Sequence, residues 1–185
     1  MNQKTAMKLF GLLGLLMLLS CGYADRHRNN SSCEQVLVDS LEVRIQDSLF
    51  SNVHYSRSQV LDALTQTQDS QVYYRLLALY GKTFFVSSDY DSILYYNRRV
   101  KEFSRNASQS SESLQSPQWN DVLSDVYNIE GNVWMQLNRP DSAITDYKKA
   151  YEYRLKGKKL HLLPDICINI ADAYLHRSDL AHTAS

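Results

Sequence analysis

Residues 131–151 read GNVWMQLNRPDSAITDYKKAY. Asn138-Arg139-Pro140 divides this stretch, because proline fixes its own φ and pushes the residue before it out of the helical region. The reading is helix, tight turn, helix. Each helix carries one small residue among bulky neighbours, Gly131 in the first and Ala143 in the second. Glycine inside a helix costs about 1 kcal/mol relative to alanine. Gly131 therefore predicts that another element comes too close for a side chain.

The stretch has a copy within the chain. Moved back by fifty residues it falls without a gap on GKTFFVSSDYDSILYYNRRVK, residues 81–101. Gly131 lands on Gly81, Trp134 on Phe84, Met135 on Phe85 and Ala150 on Val100. Asp141-Ser142-Ala143-Ile144 lands on Asp91-Ser92-Ile93-Leu94. A third copy at an offset of about forty, ICINIADAYLHRSDL, sets Ala171 beside Gly131 and Tyr174 beside Trp134. Self-similarity of this period is the mark of a helical array.

The pattern resembles the tetratricopeptide repeat (TPR), whose two helices meet at small residues and are wedged by aromatic ones. The middle copy matches with Gly131, Trp134, Ala143, Tyr147 and Ala150, the first with Gly81 and Phe84, and the third with Ala171 and Tyr174. It departs at Glu130, where leucine is usual, at Ile93, Asn97 and Val100 in the first copy, and at Thr183 in the third. The resemblance implies an all-α fold, a solenoid of antiparallel helix hairpins. It covers residues 71–185, as copies over about 71–104, 119–157 and 161–185. The last copy is incomplete, so either the chain continues or a partner covers the edge.

Residues 33–70 read as an N-terminal helical hairpin or degenerate repeat. Val38, Leu41, Ile45 and Leu49 recur at three and four residues, and Val60, Leu61 and Leu64 mark a shorter helix with Ser56 or Ser58 as its cap. The serine-rich run within 105–118 reads as a loop. No segment alternates apolar and polar residues, so no sheet is expected. Asp-Ser-apolar triplets at 39–41, 47–49, 91–93 and 141–143 resemble O-glycosylation sites of some secreted bacterial proteins. For Ser92 and Ser142, helix capping is the simpler expectation.

The N-terminus has a different character. Lys4 and Lys8 precede LFGLLGLLMLLS, residues 9–20. A bilayer span needs about 20 apolar residues, so residues 1–20 read as a signal peptide. LLSCG resembles a bacterial lipobox through Leu18, Ser20 and Cys21, although Leu19 is bulkier than usual. The resemblance implies lipid attachment, with palmitate, at Cys21. Residues 21–32 then read as a flexible tether, and the protein as lipid-anchored in a Gram-negative cell envelope, at the outer membrane or its periplasmic face. Cys33 and Cys167 remain, and both read as structural. Cys167 lies in an apolar run, where cysteine usually packs as a small core residue.

Twenty Lys and Arg balance twenty Asp and Glu, so the basic excess of a nucleic-acid binder is missing. Metal-ligand spacings, a nucleophile with its base and a phosphate loop are not found. The expectation is a non-enzyme without metal or cofactor.

What the resemblance does imply is a concave groove lined by the first helix of each copy. It assigns Arg75, Lys82 and Phe85 to the groove from the first copy. Asn128, Asn132 and Met135 come from the second, and Asp172 and His176 from the third. Asn128 and Asn132, four residues apart, suit an extended peptide backbone. Arg75 and Lys82 suit a carboxylate, and Phe85 with Met135 an apolar side chain. The leading reading is an exported scaffold that binds a protein or peptide partner. Two alternatives are the sensor part of a longer membrane regulator and a nutrient-uptake lipoprotein of the outer membrane.

Overall fold

Short polar residues start most of the helices of this protein. The computed structural model describes residues 34–45, 51–107 and 116–183, and all regular structure among them is helical. The expected signal peptide (1–20) and tether (21–32), with Cys21, Cys33, and residues 108–115 of the serine-rich run, lie outside the described residues. Seven α-helices are present among those described. They are α1 (34–45), α2 (Val53–Gln66), α3 (Ser70–Lys82), α4 (Tyr90–Ala107), α5 (Pro117–Gln136), α6 (Pro140–Leu155) and α7 (Leu163–Thr183), with a 3-10 turn at Leu160–Leu162.

Capping accounts for the starts, since the first N–H groups of a helix have no partner within it. Asn52 accepts from the Tyr55 N–H at 3.1 Å, Asp69 from Gln71 and Val72, and Ser116 from Trp119. Asn52 rather than Ser56 or Ser58 caps α2; Ser56 lies one turn inside, with its hydroxyl donating to the Asn52 carbonyl. Neither Ser92 nor Ser142 caps its helix. Asp89 does that work for α4, accepting from the Ser92 N–H at 3.1 Å and its hydroxyl at 2.7 Å. Those two bonds hold the Asp89 carboxyl below its ordinary value. At α6 Pro140 takes the first position, where its missing N–H costs nothing, and no side chain caps.

Packing follows chain order. Val38, Leu41 and Ile45 of α1 are buried with Val60 and Ala63 of α2 and Val72 and Leu76 of α3. Leu77, Val100, Trp119, Val122 and Val126 join α3, α4 and α5. Ala143, Ile144 and Tyr147 of α6 meet Ala173 of α7, with Trp134, Met135 and Ile170 against them. This arrangement is compatible with a helical repeat.

The fifty-residue correspondence has local counterparts in the structure. Helices α4 and α6 begin fifty residues apart, at Tyr90 and Pro140. Their preceding turns place Ser88 and Asn138 at φ 55° and 58°. In each turn the next N–H closes back on the same carbonyl, Asp89 on Phe84 at 3.2 Å and Arg139 on Trp134 at 2.8 Å. Such closure is a common helix end. Gly81 and Gly131 are both buried, as are Ile93 with Ala143 and Val100 with Ala150.

Gly131 is small because of Tyr147. A Cβ there would lie 2.3 Å from the tyrosine ring, whose hydroxyl donates to Asn132 at 2.7 Å and so cannot swing aside. Burial pushes the Tyr147 phenol well above its usual range. At Gly81 the equivalent contacts are looser, 3.0 Å to Tyr96 Cβ and 3.6 Å to Asn97 Oδ1. Asn97 stands where Tyr147 stands in the later pair. It is fully buried and donates to the Val126 carbonyl of α5 at 3.1 Å.

Glu130 is buried and ion-paired with Lys101 of α4. Burial raises its carboxyl pKa, and Lys101 pulls it back only in part.

Two outcomes test this packing. Gly131→Ala should lose about 1–3 kcal/mol by overpacking, while Gly81→Ala should stay near neutral because better helix propensity offsets the tighter contact; equal losses in denaturant titration would refute the Tyr147 explanation. Glu130 binds its proton more tightly folded than unfolded, so its contribution is full at low pH and falls as pH rises from 4.5, the ordinary value, through the raised one. The stability of Glu130→Gln should therefore lack the part of that fall which Glu130 contributes, measured as melting temperature against pH.

Candidate functional site

A set of polar side chains faces one space between α1, α3 and α5. There an open groove of about 270 Å³ is lined by Arg75, Ala78 and Lys82 of α3, Asp125, Asn128 and Asn132 of α5, Glu42 of α1 and Lys159. Leu79, Val122 and Ile129 add apolar wall. Residues three or four apart on one helix share a face, which is how Asn128 and Asn132, and Arg75, Ala78 and Lys82, come together.

Arg75 is already engaged. Its guanidinium donates to Asp39 at 2.7 Å, to Glu42 at 2.9 Å and to Gln35, all on α1. Burial alone would lower its pKa, but Glu42 and Asp39 outweigh that and raise it. The carboxylates that Arg75 meets in this structure are those of α1. Glu42 also accepts from Lys159 at 3.0 Å, tying α1 to the segment after α6.

That segment is held in turn by Asp121. Its carboxylate accepts from Arg154 at 2.8 Å and from the Lys158 and Lys159 N–H groups at 2.9 and 3.2 Å. Arg154 and Asp121 are 1% and 4% exposed, and Arg154 reaches Asp125 as well. Gly157 lets the segment come this close, since a Cβ would lie 2.2 Å from Asp121 Oδ1.

The donors left for a ligand are on α3 and α5. Lys82 makes no ion pair among the described residues. The Asn132 carbonyl oxygen accepts from Tyr147, and that of Asn128 accepts from Asn169 at 3.0 Å. Both side chains are thereby held, and among the described residues their amide nitrogens make no hydrogen bond.

Four of the eight expected groove residues, Arg75, Lys82, Asn128 and Asn132, line this one space. The other four do not. Phe85 follows the end of α3 and packs near Tyr90. Met135 is half-buried against the α6–α7 cluster. Asp172 is exposed on α7, and His176 pairs with Asn138 at 2.6 Å. Among the packing residues, Phe84 is half-buried against Tyr96 and under Arg57, and Trp134 donates to Asp146 at 2.8 Å. Ala171 and Tyr174 are exposed; Ile166 and Ala173 of α7 are buried, Ala173 against α6. Cys167 is exposed as well, contrary to a core role.

Glu42 and Lys159 were not legible as site residues. They lie 117 positions apart and carry no shared motif. Asp121 and Asp125, four apart on one helix, are the signal that a buried cation sits opposite.

No group of three His, Cys, Asp or Glu able to hold a metal occurs among the described residues, and no helix among them is long and apolar enough to cross a membrane. No protein-family model, curated protein or solved structure matches the chain significantly.

Removing one partner of a buried ion pair costs about 3–5 kcal/mol. Arg154→Ala should lose that much in chemical denaturation, whereas Asp125→Ala, whose side chain is 44% exposed, should lose under about 1 kcal/mol.

Proposed function

We propose that the helix pairs are degenerate tetratricopeptide-type repeats in a non-catalytic scaffold, and that the groove between α1, α3 and α5 binds an extended segment of a protein partner. The observation that carries this reading is the pair Asn128 and Asn132. Each lines the groove with its oxygen held by a hydrogen bond, beside Lys82, which makes no ion pair among the described residues. Fixed donors of this kind suit backbone carbonyls, because little side-chain entropy is lost on binding. In this reading the scaffold is exported, cleaved before Cys21 and anchored by lipid on that cysteine at the cell envelope. The support is the sequence of the leader.

A photo-crosslinking residue at Ile129, on the groove wall, should yield a discrete adduct with a partner in cells. The adduct should fall roughly tenfold in a Lys82→Glu, Asn128→Ala background, and a probe at the exposed Glu152 should not form it. An Ile129 adduct indifferent to both substitutions would sink the groove assignment. Intact mass of the native protein tests the anchor separately: a diacylglyceryl mass on Cys21, lost in Cys21→Ala, is expected.

A further inference from the structure

Three buried side-chain polar atoms have no hydrogen-bond partner among the described residues, and two of them belong to residues that line the groove. These are Arg75 Nε and Asn97 Oδ1. The third, Arg154 Nε, belongs to the cluster of Arg154 with Asp121 and Asp125. One groove orphan is a donor and the other an acceptor.

Neither can turn to find a partner within the fold. The Asn97 amide nitrogen donates to the Val126 carbonyl at 3.1 Å, which fixes the direction of its oxygen. The reverse orientation would set two oxygens against each other. The terminal nitrogens of Arg75 are held by Gln35, Asp39 and Glu42, which fixes the guanidinium plane and with it the Nε–H. A buried polar atom left unpaired costs stability. Tyr147, which stands in the later helix pair where Asn97 stands in the earlier one, carries no such cost, because its hydroxyl reaches Asn132.

We propose that Asn97 is a specificity-determining residue of the groove and accepts a backbone N–H of the bound segment, with a backbone carbonyl of the same segment on Arg75 Nε. The inference rests on the reading of the groove as a site for an extended segment. An extended backbone carries one N–H and one C=O per residue, and shows both along one edge. It can therefore satisfy an orphan acceptor and an orphan donor together. A cationic donor suits Asn97 less well, because Arg75, Lys82 and Lys159 line the same space. Both atoms are buried beneath the groove surface, and side-chain rotation of the kind common on binding uncovers them. Proline has no N–H to give, so the residue facing Asn97 is any residue except proline.

The test takes the partner segment that crosslinks at Ile129, made as a synthetic peptide, and methylates its backbone nitrogens one at a time. Binding of each peptide to the full chain in mild detergent is read by fluorescence anisotropy. Methylation at one position should weaken binding to the wild type roughly tenfold or more. Asn97→Ala, with wild-type circular dichroism, should bind the unmodified peptide roughly tenfold less tightly and lose nothing further at that position. Such non-additivity marks two groups in contact. Asn97→Val repeats the measurement with the space filled, should the alanine variant not fold. If no segment crosslinks at Ile129, the groove reading fails and this inference fails with it. A peptide that binds and is weakened by Lys82→Glu, but whose methylation losses are the same in wild type and Asn97→Ala, leaves the groove reading standing and overturns the role of Asn97. A binding peptide with no sensitive position overturns it as well.

Discussion

The carboxylate of Asp121 is the fixed point from which the groove is built. It neutralises Arg154 inside the α5–α6 pair and at the same time takes two backbone N–H groups of the segment that leaves α6. A buried carboxylate is tolerable only with its lone pairs satisfied, and here three donors satisfy them. The consequence reaches outward. Lys159 is set by its own backbone N–H on Asp121, its side chain takes Glu42, and Glu42 also takes Arg75. Four elements distant in sequence, α1, α3, α5 and the segment after α6, are joined through one chain of charge.

This arrangement decides what the groove has to offer. The chain as a whole carries no net charge, and within the groove most charges face one another. Arg75 and Lys159 are neutralised by Asp39 and Glu42, and Arg154 by Asp121 and Asp125. Among the described residues, Lys82 makes no ion pair and the amide nitrogens of Asn128 and Asn132 make no hydrogen bond. Under the proposed reading, a surface of that kind would favour hydrogen-bond acceptors over bulk negative charge, with selectivity set by position rather than by long-range attraction.

Sequence periodicity revealed the helices and their fifty-residue correspondence, because those depend on local spacing and on which residues can be buried. It also marked Gly131 as a place of close approach. The partner at that place was less visible: Tyr147 lies sixteen residues on, and only the packing of α5 on α6 shows that its ring, rather than Ala143, occupies the space a Cβ would need. The caps of α2 and α4 were misplaced by three to six residues, since Asn52 and Asp89 compete successfully with the serines that follow them. The ion pairs of the groove were hidden for a deeper reason. Whether Arg75 is free depends on α1, some thirty-six residues earlier, and nothing in the sequence between them records that contact.

The buried charges have a cost that bears on the groove's rigidity. Arg75 and Arg154 each keep a buried Nε without a partner, and such a group costs about 1–3 kcal/mol. Apolar residues of similar size often stabilise a fold at least as well as a buried ion pair. What the pairs add is directional: a guanidinium held by two or three oxygens fixes both its helix and theirs, where leucine would allow sliding. For walls that must hold Asn128, Asn132 and Lys82 at set positions, that constraint has a use that burial of apolar area alone would not supply.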